Sequence, residues 1–337
     1  MSGLGPGRRP LREDGGAMKF STPPQRAQRG IALIMVLWLT VLIAVIGSSF
    51  AYSMRGEALA ARNTMSLAQA RAAADGAVER TAFELSRPRV SPEAWVADGQ
   101  PHTWSEGDIA LTVTASDESA RIDVNAAAEP LLKGLLQNVG GLDPETAQRT
   151  LEAILDWRDP DDLRRPNGAE AQDYQSAGSK YVPTNSPFES VGELQRVLGV
   201  TPSIMARIAP TLTVYSRQAG INLATAGRDV LLAMPVATPE QVDTFIAARD
   251  EALKNRLPIP PFPPAQGFAV GASPVWRIHV VARTPDGVTF ARDAVVRPAG
   301  DPRRPLVTLL WQEGAQEPAS AAPATGTSAQ QNGTVKP

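Results

Sequence analysis

The stretch that decides the fold is QRGIALIMVLWLTVLIAVIGSSF, residues 28–50. From Ile31 to Phe50 it gives twenty consecutive residues without a charge. At about 1.5 Å rise per residue, a helix of this length crosses a hydrocarbon core of roughly 30 Å. The stretch therefore predicts a transmembrane helix close to the N-terminus.

The helical pattern continues well beyond the apolar run. There is no proline from Ile31 to Arg87, and small or apolar residues recur at mostly three- and four-residue steps, the spacing of one helical face. We predict one long helix, with residues 31–50 in the membrane and residues 51–87 in water. The predicted face consists of Met54, Ala58, Ala61, Met65, Ala68, Ala72, Val78, Ala82 and Leu85.

The residues before the apolar run predict processing and topology. Gly30 directly precedes the run, and this arrangement resembles the cleavage site of type IV prepilins and type II secretion pseudopilins, which would make residues 1–30 a leader and Ile31 the new N-terminus. A secretory signal peptide and an uncleaved signal anchor are the alternatives, although the run exceeds the roughly 7 to 15 residues of a secretory core. The basic excess predicts a cytoplasmic N-terminus. Arg8, Arg9, Arg12, Lys19, Arg26 and Arg29 stand against Glu13 and Asp14.

Composition argues against several classes of function. The net charge of −2 gives no electrostatic footprint for nucleic acid, and the chain has no cysteine. The histidines are His102, beside an expected turn, and His279, in an expected strand; we expect each to be a structural or surface residue rather than a catalytic one. We therefore expect a protein that is not an enzyme.

Beyond the helix, the chain changes period several times, which predicts an interrupted sheet. Strand pattern at 109–115 and 120–124 gives way to helical pattern, and alternation returns around the turn at Thr284–Gly287 after a proline-rich connector. The predicted divisions are a first sheet part at 88–125, an inserted helical domain at 126–265, a second sheet part at 266–313 and a disordered tail at 314–337.

The inserted domain contains three helix-hairpin-helix-like units. In each, Asp143, Thr201 or Thr238 stands before a proline, which suits an N-cap followed by the first helical residue. Such hairpins often bind the DNA backbone through glycine-rich turns. None of these turns has a Gly-x-Gly, so we favour packing modules. A membrane-anchored DNA-binding protein of the competence or uptake type remains the alternative.

An acidic loop lies inside the insertion, in LDWRDPDDLRRPNGAEAQDY, residues 155–174. Carboxylates on a turn-rich backbone provide the oxygen ligands that calcium prefers, although the spacing is not that of an EF-hand. The alternative is a solvated loop neutralised by Arg158, Arg164 and Arg165. The candidate ligands are Asp156, Asp159, Asp161, Asp162, Glu170 and Asp173.

Five segments in order resemble the minor pseudopilin K family of type II secretion systems: RGIALIMVLWL, SMRGEALAARN, DESARIDVNAA, the acidic loop and INLATA. The resemblance covers about residues 26 to 312. It implies an α+β fold, in which a pilin-like N-terminal helix packs on an antiparallel sheet that carries a large inserted all-α domain. It also raises the expectation of Ca²⁺ in the helical domain.

The resemblance further implies function and location. Such a protein caps the tip of the periplasmic pseudopilus, helps to initiate its assembly, and assembles with minor pseudopilins of the I, J and H types after a prepilin peptidase cuts it. Methylation of Ile31 and contacts with the secretin and exported substrates are also implied. Most pilins carry glutamate at the fifth mature residue, whereas this chain has Met35, which is consistent with a subunit that enters first. We expect a single-pass protein of a Gram-negative inner membrane, with a periplasmic head and no nucleic-acid partner.

Overall fold

The structure is a computed structural model that describes residues 29–87, 94–301 and 303–314. The predicted leader up to residue 28 and the predicted disordered tail from residue 315 lie outside the described residues. The chain divides into two compact units, Met1–Arg62 and Asn63–Pro337.

The long helix α1 spans Arg29–Ser86. Its residues 31–62, which belong to the first unit, are exposed along the whole length. Among the described residues, α1 is the one helix long and apolar enough to cross a membrane. The prediction of a long helix that starts with an apolar segment is confirmed.

In the second unit, one face of α1 packs against a sheet. Because most of the covered residues are alanines, the helix axis can approach the strands closely, and Val78 and Leu85 fill the remaining space. The predicted face was partly wrong: Val78, Ala82 and Leu85 are buried, whereas Met65, Ala68 and Ala72 are exposed. The buried face is Ser66, Ala70, Ala73, Ala74, Ala77, Val78, Thr81, Ala82 and Leu85.

The sheet has five antiparallel strands, which lie side by side in the order β1 Asp98–Glu106, β2 Ile109–Asp117, β5 Trp276–Arg283, β6 Thr289–Asp301 and β7 Arg304–Glu313. Alternate residues of β2 and β5, such as Val113 and Val280, face α1, as expected for a sheet with one covered face. Because β2 pairs with β5, everything between them interrupts the sheet.

Strand β1 is absent from the sequence prediction. Its sequence, DGQPHTWSE, is polar, and Pro101 interrupts the pattern, so it gives no strand signal. His102, which we expected beside a turn, lies in this strand and stacks on Trp95 with ring centroids 4.0 Å apart.

The interrupting segment is mainly helical and has its own apolar core, which includes Leu131, Trp157 and Leu231. The predicted α+β fold, with a long helix, an antiparallel sheet and an additional helical region, is confirmed. The two short strands β3 Ile122–Asp123 and β4 Leu212–Thr213 pair in parallel inside the segment. Its helices are α2 Glu129–Gly134, α3 Pro144–Arg158, α4 Ala171–Ser176, α5 Pro202–Ile208, α6 Arg228–Leu232 and α7 Pro239–Lys254.

Two of the segments noted in the sequence meet where the helical region joins the sheet. The buried Asp117 carboxylate accepts hydrogen bonds from Ser119 N at 2.8 Å, Asn222 Nδ2 at 3.0 Å and Ser273 N at 3.1 Å. Asn222 N in turn donates to the Ser119 carbonyl at 2.7 Å. DESARIDVNAA and INLATA therefore form one polar junction.

Candidate cation site and helical hairpins

The acidic loop connects the end of α3 to the start of α4. Asp156 lies in the last turn of α3 and is fully buried, while Asp159 is the C-cap of the same helix. Glu170 is the N-cap of α4 and is 7% exposed. Three of the six predicted ligands therefore stand at the two helix ends that the loop connects.

The pKa of each of these three carboxyl groups is raised, first by burial and then by neighbouring aspartates. Burial raises the pKa of Asp156 to about 6, and the nearby Asp159 adds to the effect. Burial and the charges of four aspartates, led by Asp156, raise the pKa of Glu170 to about 7. Burial and Asp161 likewise raise the pKa of Asp159. Desolvation and like charge both penalise the ionised form of these carboxyl groups. The positive charge near the cluster therefore does not fully compensate their negative charge.

The other three predicted ligands have different partners. Asp161 accepts from Leu163 N at 2.8 Å, and Asp162 accepts from Asn185 Nδ2 at 2.7 Å. The hydrogen bond from Glu170 N, with the ion pair to Arg164 at 3.0 Å, lowers the pKa of Asp173. These contacts hold the loop together.

Of the three arginines that we considered as neutralising groups, Arg165 lies closest to the buried carboxylates. Its Nε lies 3.4 Å from Asp156 Oδ1 and 3.9 Å from Asp159 Oδ2, and its Nη1 lies 3.4 Å from Glu129 Oε1. Arg158 lines the same cleft as Asp159 and Arg165, its charge opposes the rise in the pKa of Asp159, and it donates to the Val124 carbonyl. Arg165 therefore acts on both Asp156 and Asp159, and Arg158 acts on Asp159 as well.

The donor set fits a hard cation in its chemistry. Asp159 Oδ1 and Glu170 Oε1 are buried and accept no hydrogen bond, which is costly for a carboxylate. A cleft of about 720 Å³ beside Glu170 is lined in part by Asp162, Arg164 and Asp173, whereas Asp159 lines a different cleft with Arg158 and Arg165. Within the described ranges, no group of three or more such side chains converges on a single metal position. The structure thus brings the ligands into one neighbourhood without arranging them as a coordination shell.

Sequence reasoning missed two residues that shape this loop. Glu152, one helical turn before Asp156, accepts from Asn167 N at 2.6 Å and from Asn167 Nδ2 at 3.0 Å. A Cβ at Gly168 would overlap Asp156 Oδ2, so any other residue there requires the carboxylate or the turn to shift. The i, i+4 spacing of Glu152 and Asp156 on one helix was the available signal.

The helical hairpins follow the predicted capping. Asp143 accepts from Glu145 N and Thr146 N, Thr201 accepts from Ile204 N, and Thr238 accepts from Gln241 N. In the first hairpin, the N–H groups of Gly140, Gly141 and Leu142 donate to carbonyls of the preceding turn at 2.9 to 3.1 Å. A phosphate would need those N–H groups free and would meet the Asp143 carboxylate. The geometry of this hairpin favours packing over DNA binding.

The three hairpins share a residue with positive φ two positions before the N-cap. It is Gly141 at φ 71°, Gly199 at φ 91°, and Val236 at φ 57°. The left-handed region suits glycine, whereas a β-branched residue is strained there. Val236 is also 86% exposed. The third hairpin therefore departs from the other two in its turn chemistry.

The residues predicted for processing lie at the start of α1. The helix begins at Arg29, so Gly30 is within its first turn. Ile31 and Met35 are 63% and 68% exposed in the apolar segment. The predicted cleavage after Gly30 and the predicted role of Met35 stay predictions.

A long N-terminal helix that is apolar at its start and packs later along an antiparallel sheet defines a pilin-like protein. A family model described as "Type II secretion system (T2SS), protein K" matches residues 110–217. Type II secretion system protein K of Klebsiella pneumoniae is 30% identical over 229 residues, covering 61% of this chain and 69% of that protein. The corresponding Pseudomonas aeruginosa protein is 26% identical over 247 residues, with 67% and 73% covered.

The chain belongs to the type II secretion system protein K family. Its fold also resembles a chain in the crystal structure of the GspK-GspI-GspJ complex from enterotoxigenic Escherichia coli, with a TM-score of 0.54, 16% identity, and 78% of this chain and 99% of that chain covered. The family and the fold are those of a type II secretion minor pseudopilin, and the N-terminal apolar helix fits a single-pass inner-membrane anchor.

Proposed function

We propose that this protein caps the tip of the periplasmic pseudopilus and helps to initiate its assembly for export of folded proteins. Met35 carries this proposal. In most pilins a glutamate at the fifth mature position pairs, in low dielectric, with the N-terminal amine of the neighbouring subunit. A subunit with nothing above it has no such partner, and an unpaired carboxylate in the membrane costs several kcal/mol. An apolar residue at this position suits a subunit that enters first.

A substitution at Met35 tests the tip role. In cells with a complete secretion system, Met35→Glu should leave the protein inserted in the membrane but reduce pseudopilus initiation and secretion. Met35→Leu, which keeps the apolar character, is the matched control and should behave as wild type. Unchanged assembly and secretion in the glutamate variant would count against the tip role.

The proposal includes the processing that exposes Ile31. A prepilin peptidase would cut after Gly30, and Ile31 would then be methylated, with the N-terminus cytoplasmic and the head periplasmic. Mass spectrometry of the protein from membranes should find Ile31 as the first residue. An intact precursor as the sole functional form would contradict this part of the scheme.

The proposed partners are minor pseudopilins. The structural relative was solved in a complex of GspK, GspI and GspJ. We extend this type of assembly to the present chain. The further contacts we propose are an H-type subunit, the secretin and exported substrates. The role is structural rather than enzymatic. Co-purification from solubilised membranes tests it: I- and J-type pseudopilins are expected, whereas nucleic acid would revive the DNA-binding alternative.

A Ca²⁺ ion at the acidic loop is the cofactor part of the proposal. Asp156, Asp159 and Glu170 would hold it together with Asp161, Asp162 and Asp173, since two of their oxygens are buried without a donor. When bound, the ion would add to the positive charge that Arg165 and Arg158 provide, and the chain's own carboxylates would tie the end of α3 to the start of α4.

Calorimetry on the full chain in detergent tests the ion. Calcium should release or absorb heat and should raise the melting temperature, and Glu170→Gln should abolish both effects. Asp250→Asn, on the exposed side of α7, is the control and should change neither. No heat and no thermal shift for the wild type would remove the site.

A further inference from the structure

The two edge strands of the sheet differ in composition and in the position of their proline. Along β1, Pro101 and a register shift after Asp98 interrupt the strand, which is otherwise polar. Prolines and bulges are common devices that keep an edge from pairing with other chains. Strand β7, RPLVTLLWQE, also has a register shift against β6, where Leu309 is an extra residue, but it has eight consecutive uncharged residues between Arg304 and Glu313 and its proline is confined to the beginning.

Strand β7 keeps its apolar side chains accessible. Trp311 is 38% exposed, and four aliphatic residues in the strand are only half-buried. No strand within the described part of the chain pairs with the outer side of β7. A long apolar edge with an unpaired row of N–H and C=O groups is a template for strand addition.

The charges at the ends of β7 indicate what kind of strand fits. Arg303 and Arg304 are both exposed, and their guanidinium groups form no ion pair with any described residue. At the other end, the Glu313 carboxylate already lies 2.5 Å from Arg71 Nη2 of α1. Asp301 lies opposite Arg304 in the register with β6, so the net charge at the start of the strand is positive by one arginine.

We propose that β7 is a docking edge for an extended strand of another pilin-like subunit, added antiparallel. This inference rests on the proposed function, because it assumes that the chain assembles with such subunits. In an antiparallel pair, the C-terminal end of the added strand lies opposite Arg303 and Arg304. The partner strand is therefore apolar in its middle and acidic near its C-terminal end, since opposite charges across a strand pair stabilise it.

The arrangement favours a different subunit over a second copy of this chain. Two copies of β7 paired antiparallel would place each Glu313 opposite the other's Arg304, but each Glu313 carboxylate is already held by Arg71. A different subunit provides its own carboxylates without disturbing that ion pair. The second copy is one of the outcomes that the experiment separates.

The natural chain has no cysteine, so one introduced thiol gives a single cross-linking position. Thr308 is exposed on β7, and Thr103 is exposed on the protected edge β1. Thr308→Cys and Thr103→Cys would be expressed as full chains in cells with the complete secretion system and treated with a short thiol-to-amine cross-linker. Adducts would be identified by mass spectrometry of the joined peptides.

We expect Thr308→Cys to give at least fivefold more adduct than Thr103→Cys, with the joined peptide in a β-strand of another pilin-like subunit. An adduct of two copies of this chain would overturn the proposal, as would a cross-link within one chain, equal labelling at both positions, or no adduct at β7.

A lysine substitution on the edge strand tests the same surface without a cross-linker. Thr308→Lys should lower co-purification of the partner subunit at least fivefold, because a charged side chain on an edge opposes strand addition. Thr103→Lys should lower it less than twofold, and circular dichroism should be unchanged for both. If the partner co-purifies equally with all variants, the proposal that β7 is the docking edge is wrong, while the proposed function stands. If no pilin-like subunit co-purifies even with the wild type, the proposed function fails first.

Discussion

Arg277 donates from Nε to Oε1 of Glu118 at 2.7 Å, and the two residues stand at opposite ends of the helical insertion. Glu118 is the residue after β2 and is fully buried, while Arg277 lies in β5, the next strand of the sheet. Arg121 approaches the same carboxylate at 2.8 Å, and the Thr213 hydroxyl also donates to it. One buried carboxylate therefore joins the sheet to the start of the insertion.

Removal of Arg277 should be costly. Arg277→Ala leaves the Glu118 carboxylate buried with less compensation, and we expect a loss of about 2 to 4 kcal/mol in the free energy of unfolding, since breaking a buried ion pair exposes the desolvation penalty of the remaining charge. Arg149→Ala, which removes an exposed pair with Glu145, should cost less than about 1 kcal/mol. Urea unfolding of the full chain in detergent would compare them. Equal losses in the free energy of unfolding would show that the buried ion pair stabilises the protein no more than an exposed one does.

A methyl group at Gly168 should disturb the acidic loop. In Gly168→Ala the new Cβ would overlap Asp156 Oδ2, so the carboxylate or the turn must move, and we expect a loss of roughly 1 to 3 kcal/mol in the free energy of unfolding. Gly178 is not a suitable control, because its φ is +70°.

Gly76→Ala provides the matched comparison. A Cβ at Gly76 meets nothing within 4 Å on the exposed side of α1. Alanine there should raise stability by about 0.5 to 1 kcal/mol through helix propensity. The same unfolding measurement checks both variants, and a Gly168→Ala protein as stable as the wild type would contradict the packing seen at Asp156.

The acidic cluster should make the cation-free protein less stable as pH rises. The folded state raises the pKa of Glu170 to about 7, so between roughly pH 4 and pH 7 it binds more protons than the unfolded state does. By linkage, this group's contribution to stability falls over that window, and the full penalty is present above pH 7. Carboxyl groups whose pKa is lowered, such as Asp173 and Asp243, act in the opposite direction.

Comparing the pH dependence of unfolding for the wild type and Glu170→Gln isolates this effect. Glu170→Gln should gain stability relative to the wild type as pH rises from 4 to 7, by on the order of 2 kcal/mol, because the amide does not ionise. Urea unfolding at several pH values, in a chelator, would measure it. Asp250→Asn should show no such relative gain, and parallel pH profiles for the wild type and Glu170→Gln would contradict the raised pKa.

Local chemistry was readable from the sequence, whereas longer-range packing was not. Asp143, Thr201 and Thr238 were predicted as N-caps because a cap depends on only three or four consecutive residues. The cluster around Asp156 depends on where Arg165 folds back, which no local pattern specifies. In the same way, the step of six residues between Ala72 and Val78 broke the helical period, so the sequence did not show which side of α1 would meet the sheet.

The third hairpin should become more stable when its turn is made like the other two. Val236 is a β-branched residue at φ 57°, where Gly141 and Gly199 stand in the first and second hairpins. Because the side chain is 86% exposed, its removal costs little packing, and Val236→Gly should raise the free energy of unfolding by about 1 kcal/mol through relief of backbone strain.

Gly199→Val is the reverse change. It adds strain at φ 91° and brings a Cβ to 2.5 Å from Thr150 Oγ1, so a loss of about 2 kcal/mol or more in the free energy of unfolding is expected. Thermal unfolding of both variants would decide the matter, and a destabilised Val236→Gly protein would mean that the valine makes a stabilising contribution in its turn.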